Sequence, residues 1–174
     1  MSSPPRRLPA IRLNALATAV PDHDIHKAFI DWATPRLADA RIRALFARMA
    51  ARSGIDHRWS VLPPTPTGGS PVAAGGFYDV PGLPPTSARM AAYADHAPDL
   101  AMQAIAALGA AFDPARITHI VVASCTGFVA PGIDQILARR LKLAPTVERV
   151  LIGFMGCYAG VTALRTARHI VRSQ

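Results

Sequence analysis

Cys157 lies between two glycines, with Gly156 immediately before it and Gly160 three residues after it. A cysteine in such a turn is a candidate nucleophile, because the thiolate is the reactive form and a helix N-terminus stabilises it through unpaired N–H groups and the helix dipole. The same N–H groups can hold the oxyanion formed when a thiolate attacks a thioester carbonyl. The alternative reading is a small buried hydrophobe, the usual role of a free cysteine. A second chemical feature is the pair Arg48 and Arg52, four apart on one helical face, where they can bracket a phosphate or simply form an exposed polar face. The second cysteine, Cys125, stands far from Cys157 with no CxxC spacing, so a metal or redox pair is a weak reading.

The elements that must position Cys157 run from Val147 to Val171. Val150 to Met155 is a short apolar run of strand length, and Gly156-Cys157-Tyr158-Ala159-Gly160 breaks it. From Val161 the period becomes helical: Val161, Leu164, Ala167, Ile170 and Val171 share one side, with Ala163 beside them and Arg165, Arg168 and Arg172 opposite. The pattern predicts a buried strand, a tight turn and an amphipathic helix with Cys157 at its start. The arrangement is analogous to the strand-to-helix turn that presents a nucleophilic serine in hydrolases.

The segment Gly153-Phe154-Met155-Gly156-Cys157-Tyr158-Ala159-Gly160, followed by Ala163-Leu164-Arg165-Thr166-Ala167, resembles the nucleophile segment of type III polyketide synthases, the chalcone and stilbene synthase family. Upstream, Ile117-Thr118-His119-Ile120-Val121-Val122 and Cys125-Thr126-Gly127-Phe128-Val129-Ala130-Pro131-Gly132-Ile133-Asp134 resemble the family's other diagnostic stretch, in the matching order and at about the matching distance. The likeness covers roughly Leu13 to Val171 and is most specific from Ile117 onward. It implies the N-terminal half of a thiolase-like α/β/α sandwich, with residues 1–10 a loose N-terminus and 11–174 one domain whose C-terminal half is absent.

The resemblance also implies a chemistry. Cys157 would take an acyl group from a starter acyl-coenzyme A. Malonyl-coenzyme A would lose carbon dioxide, and its enolate would extend the bound acyl group. Arg48 and Arg52 fall on two positions of a cationic cluster that grips the coenzyme A phosphates, while the third, lysine in plant members, is Leu45. Cys125 and Thr126 fall on the wall of the acyl pocket; cysteine at the first is common in bacterial members. Ala130 falls where a side chain of one subunit enters its neighbour's cavity, so a homodimer is implied for the complete enzyme. Coenzyme A thioesters are substrates, and no prosthetic group or metal is implied. The family's histidine and asparagine, which stabilise the enolate, lie in the second half of a chain about twice this length. His169, twelve residues past Cys157 on one helix, would be about 18 Å away along the axis. The expectation is a truncated chain, inactive alone. An initiating ketoacyl carrier-protein synthase, or a non-catalytic piece acting only through a partner subunit, are the alternatives.

The remaining residues set bounds. The 174 residues suit one domain, and 51% hydrophobic against 17% charged excludes a disordered chain. No apolar run approaches the ~18–20 residues of a membrane span, and Leu8 to Val20 is a poor secretory segment, so a cytoplasmic location and no membrane partner are expected. The charge of +8 arises from 19 basic and 11 acidic residues. At 6% aromatics and with no recognition motif, a nucleic-acid partner is not expected. Along the chain, Ile11 to Ala19 reads as a strand. Asp22 or Asp24 caps a helix carrying Ile25, Phe29 and Trp32 on one face. Thr34-Pro35 opens a second helix with Ile42, Leu45, Phe46 and Met49 inward, ended by Gly54. Residues 60–85, dense in proline and glycine, form a long excursion that Phe77-Tyr78 would pin. Thr86 starts a helical region that Pro98 kinks or restarts, and Asp113-Pro114 turns the chain into a strand over Ile117 to Ser124.

Overall fold

The computed structural model describes residues 10–173. These fall into two compact units, residues 20–92, and residues 93–173 with 10–19. The expected loose N-terminus therefore lies almost wholly outside the described residues.

Residues 20–92 begin with β1 (His23–Asp24) and α1 (His26–Ala33), continue through α2 (Ala40–Arg52), and return in β2 (Trp59–Ser60), which pairs antiparallel with β1. Asp24 ties this unit together. Its Oδ1 accepts the backbone N–H groups of His26 and Arg58, each at 3.0 Å, and its Oδ2 lies 2.6 Å from Nδ1 of His57. The His57 hydrogen bond, reinforced by the two backbone N–H groups, lowers the Asp24 carboxyl from 3.8 to about 2. Phe29 and Trp32 do share a face of α1, their rings 5.9 Å apart, and Tyr78 packs on Trp32 at 6.2 Å, so the 60–85 excursion is pinned as expected. That excursion holds no helix or long strand, yet Thr65, Pro71 and Val72 are buried within it.

Two boundaries differ from the expectation. Thr34–Arg36 is a single 3-10 turn, and α2 opens four residues after Arg36, because the Asp39 carboxylate accepts from Arg41 and Ile42 and so supplies the better cap. Gly54 ends α2 as expected, in the left-handed region at φ +65°. Ile42, Leu45 and Met49 are not inward: they are exposed, and only Phe46 is half-buried. A face is buried only as far as something covers it, and in this unit Phe46 and Met49 line an open groove with Phe29 and Ile30.

α3 (Thr86–Ala106) runs unbroken through Pro98, which is fully buried. The other unit then carries β3 (His119–Ser124), α4 (Ile133–Arg140), β4 (Glu148–Gly153) and α5 (Ala159–Ser173). Asp113 caps the turn into β3 by accepting from the N–H of Ala115. β3 and β4 are parallel, in register from His119 opposite Glu148 to Ser124 opposite Gly153, and α4 is their crossover. Both helices pack on this pair.

β3 is two residues shorter than its apolar run suggested, β4 lies two residues earlier than its run, and both are less buried: β3 is half-buried throughout, and Leu151 of β4 is exposed. The reason is that this sheet has only two strands among the described residues, so each has one uncovered edge. Residues 11–19 form no strand, with Leu13 and Leu16 exposed and no ladder partner. α5 is amphipathic, but its half-buried positions are Thr162, Ala163, Thr166, Ala167 and Ile170, while Val161, Leu164 and Val171 are exposed. Small side chains let the helix approach the sheet closely, which turns the larger apolar residues outward.

Two glycines matter to this packing. A Cβ at Gly127 would lie 2.0 Å from the Tyr93 ring, and one at Gly153 would lie 2.3 Å from the Phe128 ring. Both rings occupy space that any other residue would fill. Gly127→Ala is expected to cost about 1–3 kcal/mol by overpacking, read from urea denaturation of the purified chain. In the other unit, the Asp24 carboxyl is depressed, so its contribution is complete above its ordinary value of 3.8 and is lost as pH falls toward about 2. The wild type's advantage in unfolding midpoint over Asp24→Asn should be full above pH 4 and shrink toward pH 2; an advantage that stays constant across that range contradicts the assignment.

Candidate active site

β4 leaves the sheet at Gly153, and the chain reverses through two left-handed residues, Phe154 at φ +56° and Gly156 at φ +75°. Glycine takes this conformation freely; a phenylalanine does not. Cys157 sits next in the turn and is exposed, with α5 beginning two residues later. The N–H of Ala159 donates to Gly156 O at 3.1 Å, and the N–H groups of Val161 and Thr162 donate to Tyr158 O. Those of Cys157, Tyr158 and Gly160 have no partner among the described residues. Cys157 is thus a solvent-accessible thiol at a helix start with N–H donors to spare, and the buried-hydrophobe alternative fails on its exposure.

The register of the sheet brings the second sequence motif to the same place. Ser124 lies opposite Gly153, so Cys125 and Phe154 leave the carboxyl ends of adjacent parallel strands together. The carboxyl end of a parallel sheet is where ligands bind in α/β folds. Cys125 is half-buried, Thr126 and Ala130 are exposed, and Ala130–Pro131 is a cis peptide. The loop is fixed by Ser124, whose hydroxyl donates to Gly127 O at 3.0 Å and accepts from the Tyr93 hydroxyl at 2.8 Å. Phe128 from this loop stacks on Phe154 of the turn that carries Cys157, ring centroids 3.9 Å apart and planes 13° apart.

Arg48 and Arg52 stand on α2 within residues 20–92, one turn apart, exposed, and without an ion pair or side-chain hydrogen bond among the described residues. Leu45, one turn before, is exposed as well. His169 is exposed on α5. No side chain among the described residues hydrogen-bonds to Cys157. No cluster of three histidine, cysteine or carboxylate side chains suited to a metal occurs among them, and no helix is long and apolar enough to cross a membrane.

Phe128 and Phe154 were not singled out from the sequence. Both lie inside its diagnostic stretches, but nothing in residue type or spacing shows that Phe154 adopts a positive φ or that the two rings meet. The backbone of the turn shows the first, and the register of β3 against β4 brings the two rings together.

Residues 7–174 match the family described as chalcone and stilbene synthases, N-terminal domain. The alpha-pyrone synthesis polyketide synthase-like Pks18 of Mycobacterium tuberculosis is 40% identical over 87 residues, 49% of this chain and 22% of that protein. The C-terminal type III polyketide synthase domain of Steely1, a type I/III hybrid from Dictyostelium, superposes with a TM-score of 0.74 at 26% identity, over 92% of this chain and 44% of its own. PKS-I from the brown alga Ectocarpus siliculosus gives 0.71 and 26%, over 91% and 43%. The chain spans less than half the length of these relatives. Its fold is the thiolase-like α/β fold they share.

Iodoacetamide at near-neutral pH should label Cys157 several-fold faster than Cys125, because the one thiol is exposed and the other half-buried. Peptide mass spectrometry over a time course reads both sites in one sample; faster labelling of Cys125 rules out Cys157 as the reactive thiol.

Proposed function

The chain belongs to the chalcone and stilbene synthase family of type III polyketide synthases, and from that premise we propose that it carries the acyl-loading chemistry of such an enzyme at Cys157. The observation behind this reading is the turn itself: an exposed thiol at the start of α5, beside N–H groups that have no other partner. The Cys157 thiolate attacks the carbonyl carbon of an acyl-coenzyme A thioester. The carbonyl oxygen becomes an oxyanion held by backbone N–H donors. The intermediate collapses, the bond to coenzyme A sulfur breaks, and the coenzyme A thiolate leaves and takes up a proton. The acyl group remains on Cys157 as a thioester.

Cys125, Thr126 and Ala130 form part of the acyl wall in this reading, supported by their place at the same sheet end. Arg48 and Arg52 hold the coenzyme A phosphates, supported by their unpaired, same-face placement and by the resemblance. The extender is malonyl-coenzyme A, whose decarboxylation yields the enolate that attacks the loaded acyl group. That second step calls for donors aimed at the enolate oxygen, and no described side chain hydrogen-bonds to Cys157. Coenzyme A thioesters serve as substrates with no prosthetic group. The enzyme is proposed to work as a cytoplasmic homodimer.

Incubating the purified chain with an acyl-coenzyme A and measuring intact mass is the direct test. One acyl adduct should appear, map to Cys157, be released by hydroxylamine and be lost in Cys157→Ala. Replacing Arg48 and Arg52 together by alanine should raise the half-saturating acyl-coenzyme A concentration about tenfold, equivalent to ~1.4 kcal/mol, with little change in the saturating rate. No adduct on wild-type protein removes the loading proposal, and an unchanged half-saturation removes the phosphate role of the arginines.

A further inference from the structure

Phe154 is anomalous in three ways at once. Its backbone is left-handed at φ +56°, a conformation that residues with a Cβ avoid. The residue is 82% exposed, so burial of apolar surface contributes little to keeping it there. Yet its ring is not free, because it lies flat against Phe128 at 3.9 Å between centroids. A bulky residue that is both strained and exposed has this stack as the ring contact that holds it.

The stack is in turn anchored. Phe128 fits only because Gly153, the residue before Phe154, has no Cβ; a methyl there would sit 2.3 Å from the ring. Behind Phe128, Gly127 lies under the Tyr93 ring, and Ser124 bridges the Tyr93 hydroxyl to the Gly127 carbonyl. A continuous set of contacts therefore runs from α3 through the loop after β3 to the turn after β4. It ends three residues before Cys157. The left-handed step at Phe154 is the first of the two reversals that carry the chain from the strand into α5, and it fixes where the second, at Gly156, begins. Strained residues of this kind persist where the surroundings over-determine them, and they cluster at functional sites.

We propose that Phe128 and Phe154 form an aromatic clamp whose role is to position Cys157: the stack holds Phe154 left-handed, and the left-handed step sets the thiol at the helix start. Phe154 is the positioning residue and Phe128 its anchor. This rests on the reading of Cys157 as the acylated nucleophile. Without the clamp, residue 154 leaves its left-handed conformation, the turn shifts, and the sulfur moves from its place at the helix start. Misplacement of a reacting group by about 1 Å can cost about 100-fold in rate.

The test uses the whole chain and four variants: Phe154→Tyr, Phe154→Leu, Phe154→Gly and Phe128→Leu. Two rates are followed, iodoacetamide labelling of Cys157 with Cys125 as reference in the same molecule, and acylation by acyl-coenzyme A. Phe154→Tyr keeps the stack and should stay within twofold of wild type. Phe154→Gly tolerates the left-handed backbone without strain but has no ring to hold it there, so its melting temperature should stay near or above that of the wild type, while the unpinned turn samples other angles and labelling and saturating acylation at Cys157 fall about tenfold or more with half-saturation unchanged. Phe154→Leu and Phe128→Leu should lose comparable rate, and combining them should add little beyond either. A side chain that only supports the fold would show the reverse, with rate following stability. Wild-type rates in Phe154→Gly overturn the clamp, even if the leucine variants fail to fold. A wild-type Cys157 that neither labels ahead of Cys125 nor accepts an acyl group overturns the loading reading itself, and the clamp with it.

Discussion

The turn that carries Cys157 depends on two missing methyl groups. Gly127 admits the Tyr93 ring and Gly153 admits the Phe128 ring, each within 2.3 Å of where a Cβ would stand. Through these gaps the loop after β3 is gripped from one side and itself grips the turn after β4. A parallel strand pair fixes the relative height of two loops but not the orientation of the loops themselves. Here the rings set it, converting the in-register ends of β3 and β4 into one assembly that contains Cys125, Thr126 and Cys157. Close-packed interiors transmit small displacements rather than absorbing them, so the whole assembly is sensitive to atoms that two glycines lack.

Chemistry and stability draw on different kinds of contact. At Cys157 the useful groups are those left unsatisfied, an exposed sulfur and backbone N–H donors with no partner. Around Asp24 the opposite holds: the carboxylate is fully engaged, by His57 and by the N–H groups of His26 and Arg58, and it ties β1, α1 and β2 together. Arg48 and Arg52 resemble the first case, two cations on α2 with no counter-charge beside them among the described residues. Unpaired donors and charges on a surface otherwise rich in satisfied ones are what a ligand of opposite charge would meet.

Where the structure departs from the periodicity of the sequence, the departures share a cause. Periodicity says which side chains lie on the same side of an element, but not which side is covered. α5 has a clear apolar stripe, yet its inner face is built of Thr162, Ala163, Thr166, Ala167 and Ile170, because a helix close to a sheet favours small residues there. α2 carries Ile42, Leu45 and Met49 on one side and leaves all three exposed. Residues 11–19 have strand-forming composition and no strand, since a strand needs a partner whose presence local sequence cannot announce.

The sequence by itself determined the family, the strand–turn–helix around Cys157, the helix end marked by Gly54 and the turn at Asp113 into β3. Each of these rests on local rules: residue type at a fixed offset, a capping group, or a change of period from two to 3.6. It also marked Cys125 and Cys157 as members of two separate motifs. Only the tertiary structure decided that the motifs meet. The pairing of Ser124 with Gly153 is a contact between distant residues, and the left-handed backbone of Phe154 is held by the ring of Phe128, far earlier in the chain. Contacts of that kind have no local signature, because the energy that fixes them belongs to the pair and not to either residue.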